Sequence, residues 1–328
     1  MRKKNVLIIV LLFAAACLPA CNPTGNTPGA DSGRLQIVTT IFPEYDWVMT
    51  ILGDNPADAE VTMLLDSGVD LHSFQPAVDD ILKVSACDMF VYVGGESDRW
   101  AEGVLKDAAN TEMITICLMD VLDDKLKEEE PEESMHEHGH GGDDDETDAA
   151  GYDEHVWLSL KNAAVMAESI ADALGKIDPG HADLYRANSS AYVEKLLSLD
   201  AQYQAAVSGA SVKTLVFGDR FPFRYLADDY GLSYYAAFAG CSAESEASFE
   251  TITFLAGKVD ELSLHAVLTI EGSDHRIAET IVRNTARKDQ KILTMDSMQA
   301  ATADDAQNGA TYLSIMEKNL SVLMDALK

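Results

Sequence analysis

"DPGHADLYRANSSAYVEKLLSLDAQYQAAVS", residues 178–208, decides the fold. Its apolar residues Leu184, Tyr185, Ala191, Tyr192, Leu196, Leu199 and Tyr203 recur at threes and fours, the period of one long helix. Asp178 stands as its N-cap, and Pro179 takes the first helical position, where the missing N–H removes no helical bond. A different pattern runs on either side. Over residues 34–177, "RLQIVTTIF" (34–42), "AEVTMLL" (59–65), "MFVYVGG" (89–95) and "ITICLMDV" (114–121) read as buried strands. "YDWVMTILGD", "AVDDILKVSACD" and "HVWLSLKNAAVMAESIADALGKI" between and after them carry helical spacing. Over residues 209–328 the alternation restarts, with strands "TLVFG", "LSYYAAFAG", "HAVLTIEG" and "KILTMD" and helices "FPFRYLADDYG", "SFETITFLAGKVDEL", "RIAETIVRNTA" and "ATYLSIMEKNLSVLMDAL". Strand–helix alternation makes parallel sheets with helices on their faces. The expected architecture is therefore α/β, two lobes joined by one long helix at 178–208.

The N-terminus supplies the compartment. Arg2, Lys3 and Lys4 precede an apolar run that ends at Cys21, the plan of a signal peptide over residues 1–21. "LPAC" at 18–21 resembles a bacterial lipobox, which implies that Cys21 is acylated and anchors the chain to the membrane. Cys17 competes, but the Leu three residues before Cys21 favours the later site. Residues 22–33, "NPTGNTPGADSG", have the composition of a flexible tether. Of five cysteines, three lie beyond this leader: Cys87, Cys117 and Cys241. An odd count argues against a disulfide framework, and Cys87 and Cys117 sit in apolar runs as small buried residues.

A formal charge of −31 repels phosphate backbones, so nucleic acid is excluded as a partner and cations are favoured. Part of the charge is local. Residues 123–154 hold fifteen Asp and Glu against two Lys, without apolar periodicity, and read as a long loop. The same tract carries His136, His138 and His140 in "HEHGH".

Ligands of open parallel sheets bind beyond the carboxyl ends of strands. The polar residues found there are His72 after "AEVTMLL", Asp219 after "TLVFG", Glu271 after "HAVLTI" and Asp296 after "KILTM", with His155 just before Trp157. Two imidazoles with carboxylates are the donors of a borderline divalent cation.

"IVTTIFPEYDWVMTILGD", "LLDSGVDLHSFQP", "DEHVWLSLKNA", "YLADDYGL" and "KILTMDSM" together resemble, in order, the solute-binding lipoproteins of zinc- and manganese-type ABC importers. That resemblance implies two lobes on a rigid long helix, with a metal ion in the cleft. It implies His72 of "DLHSFQP", His155 of "DEHVW" and Asp296 of "MDS" as metal ligands. It also implies delivery to a membrane ABC permease, a monomer, and a location outside the cytoplasm on a lipid anchor. The chain departs from the family in "FGDRFPFRYLADDYGL", where Gly218 stands in place of a ligand His in a segment one or two residues longer. Asp219 is the candidate substitute, unless Arg220 pairs with it. Glu244 and Glu246 are rivals, and Glu271 fits better as a group that orients a neighbour. A His-rich loop tilts the ion toward Zn2+ over Mn2+, because imidazole suits zinc better. His136, His138 and His140 then gather metal. Three other readings stand beside this one: a manganese receptor, a surface adhesin, and a zinc-dependent hydrolase with Glu271 or Glu244 as base. The one "HExxH" match, "HEHGH" at 136–140, falls in the acidic loop rather than in a helical pattern, so no enzymatic activity is expected.

Overall fold

The computed structural model describes residues 34–129, 151–240 and 246–328. Both expected sheets form. Strands β1 (Gln36–Thr39), β2 (Glu60–Met63), β3 (Met89–Tyr92) and β4 (Ile114–Cys117) make a parallel sheet in the order β2-β1-β3-β4. The register sets Ile37 opposite Val61 on one side and Met89 on the other. A second parallel sheet has β5 (Thr214–Phe221), β6 (Ser233–Ala239), β7 (Ala266–Ile270) and β8 (Lys291–Met295) in the order β6-β5-β7-β8. In each sheet the chain runs outward from a central strand in both directions, which leaves a crevice at the carboxyl ends.

The helices follow the apolar spacing, with instructive exceptions. In the first lobe they are α1 (Phe42–Leu52), α2 (Val78–Ala86), α3 (Arg99–Lys106), α4 (Leu118–Leu122) and α5 (Leu160–Ile177). The strand expected over 114–121 ends at Cys117. Leu118, Met119 and Leu122 instead bury one side of α4. Helix α3, not expected from the sequence, buries Ala101 and packs Trp100, Val104 and Leu105 partly against the core, a short stripe interrupted by Gly103. The long helix α6 spans Ala182–Gly209, after a single 3₁₀ turn at Pro179–His181. Asp178 precedes that turn but makes no side-chain cap. Its carboxylate accepts instead from Tyr185 Oη at 2.7 Å and lies 2.6 Å from His181 Nδ1. Of the apolar positions read from the sequence, Tyr185, Tyr192, Leu196, Leu199 and Tyr203 are buried, whereas Leu184 and Ala191 are exposed. The second lobe has α7 (Arg224–Tyr230), α8 (Phe249–Glu261), α9 (Arg276–Asn284), α10 (Ala303–Gln307) and α11 (Tyr312–Ala326).

Helix α6 is fixed at several points along its length. Asn188 Nδ2 donates to Ile51 O at the end of α1 (2.9 Å), and Tyr203 Oη donates to Met316 O in α11 (2.6 Å). Tyr203 also stacks on Tyr230 of α7, whose hydroxyl donates to Asp200 of α6. The apolar core runs without a break from β1 and α1 through α5 and α6 to α11. Cys87 is buried, Cys117 half-buried, and both are free thiols. No helix among the described residues is long and apolar enough to cross a membrane.

Asp46 sits inside this junction, where its carboxylate accepts from Tyr312 N at the start of α11 (3.0 Å). Burial pushes its pKa up to about 6, against the pull of that N–H. The folded state therefore binds this proton more tightly than the unfolded state does. The corresponding stability is present below the unfolded value of about 4 and is lost as pH rises through about 6. Asp46→Asn keeps an oxygen for Tyr312 N–H without the buried charge. It is expected to raise stability at pH 7.5 by about 1–3 kcal/mol and to make little difference near pH 4. Urea denaturation of both proteins at the two pH values is the check, and an equal effect at both would contradict the argument.

Candidate metal centre

The His72 ring is set by its own loop. Asp70 caps the 3₁₀ turn Leu71–Ser73, accepting from His72 N at 3.0 Å. The His155 ring is set by the stretch before α5, where Asp153 Oδ1 accepts from His155 N (2.8 Å) and lies 2.9 Å from His155 Nδ1. These two local turns, more than eighty residues apart, bring the rings face to edge with centroids 5.1 Å apart. Their Nε2 atoms approach to 3.2 Å. His72 Nδ1 meets Ser97 Oγ at 2.8 Å, with Glu154 behind it accepting from Ser97 N at 3.0 Å. Each ring thus has one nitrogen held by a polar partner and the other turned toward the opposite ring. That arrangement fixes ring orientation in metal-ligating histidines.

Packing explains why His155 can be fully buried. Gly240, at the end of β6, lies against the ring, and a Cβ there would sit 3.2 Å from His155 Cε1 and 2.9 Å from Phe221 O. Trp157 packs on the other side with its centroid 5.2 Å away, and its Nε1 donates to Ser297 O (2.8 Å).

The electrostatics of the two rings differ. Burial and the neighbouring His155 hold the His72 pKa down to about 4. Burial also acts against a charge on His155, but the Asp153 carboxylate outweighs it and raises that pKa. The His72 ring is therefore neutral at neutral pH.

The carboxylates carried forward from the sequence do not join the rings. Among the described residues, no three His, Cys, Asp or Glu side chains group closely enough to hold a metal ion. Asp219 is turned onto the backbone, accepting from Arg220 N (2.9 Å) and Ile270 N (3.4 Å). Asp296 closes its own turn by accepting from Met298 N at 2.8 Å, and burial raises its pKa. Glu271 accepts from Ser297 N, Ser297 Oγ and Gln299 N, so it shapes the turn after β8. Glu246 is exposed just before α8. Glu244, the loop histidines His136, His138 and His140, and Cys21 lie outside the described residues.

The departure at Gly218 has a structural cause. Strand β5 runs on to Phe221 rather than ending at Gly218, with a bulge between Phe217 and Arg220. A Cβ on Gly218 would lie 2.6 Å from Ala278 Cα, so α9 fills the space a side chain would need. The bulge re-aims the strand beyond it. Arg220 consequently bypasses Asp219 and donates from Nη2 to Asp70 Oδ2 at 2.7 Å, across 150 positions. Arg220 holds the Asp70 pKa down against the effect of burial. Asp70 thereby ties the His72 turn to the second lobe. Asp70 opens the "DLHSFQP" motif, and its partner Arg220 comes to it only through the fold.

His72 opens onto a cavity of about 820 Å³ whose lining includes Phe74, Trp100, Glu129, Gly151 and Glu154. Glu129 and Gly151 are the described ends of the acidic, His-rich tract. They are joined by a bond from Glu129 N to Gly151 O (2.8 Å), beside another from Asp153 N to Lys127 O (2.8 Å). Tyr225 of α7 binds both sides of this junction, accepting from Lys127 N and donating to Asp153 O.

The family model of ZnuA, zinc-uptake complex component A periplasmic, matches residues 37–326. The zinc-binding lipoprotein AdcA of Streptococcus pneumoniae is 33% identical over 321 residues, 98% of this chain and 60% of its own length. The chain thus spans about three-fifths of that relative. The high-affinity zinc uptake system protein ZnuA of Bacillus subtilis is 28% identical over 322 residues, 97% of each chain. The solved Zn(II)-bound ZnuA-like domain of Streptococcus pneumoniae AdcA matches with a TM-score of 0.69 at 28% identity, covering 90% of this chain and 99% of that one. The fold, the paired rings and a match over nearly the whole described chain agree, and the chain belongs to the zinc-uptake component A family.

Proposed function

We propose that this protein is an extracytoplasmic zinc receptor that captures the ion between its lobes and passes it to an ABC import permease. One observation carries the reading: two imidazoles face each other through Nε2 at 3.2 Å, while Ser97 and Asp153 hold their other nitrogens. Zn2+ enters as cargo, with His72 and His155 as its anchoring donors. Nitrogen donors favour zinc over manganese at such a seat. The protein is a carrier and performs no chemistry on its ligand. It acts as a monomer, tethered to the membrane through an acylated Cys21. Membership of the zinc-uptake family and the zinc-binding descriptions of its relatives support this reading.

Titration of the metal-free protein with Zn2+, read by competition with a chromophoric chelator, is expected to saturate at one ion per chain. Mn2+ is expected to bind at least about a hundredfold more weakly, in line with the divalent affinity order. Absence of saturable zinc binding would end the proposal, and a preference for Mn2+ would replace zinc as the cargo.

A further inference from the structure

The turn that carries His72 makes few bonds of its own. Residues 66–69 and Ser73 are exposed, while Leu71 enters the core. Its backbone bonds are local, from Ser73 N to Asp70 O (2.9 Å) and from Phe74 N to Leu71 O (3.2 Å). The Asp70 side chain reaches further. Its Oδ1 accepts from His72 N at 3.0 Å, and its Oδ2 accepts from Arg220 Nη2 of the second lobe at 2.7 Å. One carboxylate therefore joins the His72 backbone to strand β5. Arg220 is well seated there. Its N–H donates to Asp219, which also accepts from Ile270 N of β7. Phe221 beside it is buried and stacks on Tyr234 of β6, with centroids 3.6 Å apart. The side chains of Asp70 and Arg220 are each 22% exposed, so solvent and salt screen this pair less than they screen a surface pair. A bond between two ionised groups is also stronger than a neutral one.

We propose that Arg220 is a positioning residue: through its ion pair with Asp70, the second lobe holds the His72 turn ready for zinc without touching the ion. The inference rests on the zinc reading above. The segment that departs from the family pattern at Gly218 thus acts on a donor instead of supplying one. Donors already held in place bind more tightly than donors that must be ordered at the moment of capture. Release gains a route by the same logic. A membrane partner that draws Arg220 off Asp70 frees the His72 turn and loosens the seat, with no competing donor required.

The test is a double-mutant cycle in the whole chain, read by Zn2+ competition with a chromophoric chelator. Arg220→Gln and Asp70→Asn are each expected to weaken Zn2+ binding about tenfold, the scale for a partner that supports a metal ligand. Asp70→Asn keeps a side-chain oxygen for His72 N, so it removes the pair and spares the cap. The double variant is expected to lose about tenfold as well, not the roughly hundredfold of independent effects, because both changes remove one interaction. Arg220→Lys is expected to lose less than Arg220→Gln, since it keeps the charge without the planar fork. Co2+ at saturation is expected to give the wild-type visible bands in every variant, because the donors are unchanged. Thermal denaturation in excess chelator reports any loss of fold separately. Wild-type or tighter zinc binding in Arg220→Gln, additive losses in the double variant, or altered Co2+ bands would each overturn the proposal. If Asp70→Asn does not fold, the order of Arg220→Lys and Arg220→Gln decides. Failure of the wild-type protein to bind zinc would strike the receptor reading, and so is distinguishable from these results.

Discussion

His72→Ala is expected to lower zinc affinity by about a hundredfold or more while leaving the metal-free fold intact. The magnitude exceeds the roughly 10–100-fold loss typical when only a supporting partner is removed. The fold should survive because the ring is partly exposed at the cavity and rests on Ser97, a hydroxyl that water can satisfy in its place. The comparison with Ser97→Ala is informative. That change frees the His72 ring to rotate but keeps its Nε2, so a loss of about tenfold is expected. Chelator competition on the two variants gives both numbers. Equal losses would show that His72 acts through the loop rather than on the ion, and retention of full affinity in His72→Ala would remove the ring from the site altogether.

Trp157→Ala carries the largest expected loss of stability, about 3–5 kcal/mol. The indole is fully buried beside His155, and its Nε1–H is the partner of Ser297 O. Tyr312 Oη donates to the carbonyl of the same residue (2.6 Å), so three segments distant in sequence meet at this position. Trp157→Phe keeps most of the packing and loses the hydrogen bond, for which about 1–3 kcal/mol is expected. Urea denaturation in the presence of chelator separates this from any effect of bound zinc. Zinc affinity should fall in both variants, because the indole packs against the His155 ring. A loss below about 1 kcal/mol for Trp157→Ala would mean that the cavity collapses and that the junction is not held by the indole.

Local chemistry made much of this legible. Short β-branched runs gave all eight strands, and the threes-and-fours spacing of tyrosines and leucines gave α6 its buried side. His72 and His155 were found because each lies in a compact motif whose own acid, Asp70 or Asp153, builds the turn that holds it. What stayed hidden depends on tertiary contacts. Helices α3 and α10 are short, and α10 buries no residue, so neither has the length that makes an apolar stripe stand out. The bulge in β5 adds one residue against β6, and only pairing reveals it. Arg220 was read against its neighbour Asp219, yet the bulge carries it to Asp70.

The stapled neck of the acidic tract bears on how such a protein changes over generations. Lys127 to Asp153 and Glu129 to Gly151 are bonded on the near side of the tract, and Tyr225 grips them from the second lobe. Whatever lies between positions 130 and 150 is attached at a clamp that closes without it. Lengthening a loop whose ends are already joined costs little, since closure entropy grows only with the logarithm of length. Mutation can therefore enrich, shorten or recolour that appendage to suit a metal-poor or metal-rich habitat, while the ion's seat inherits none of the disturbance.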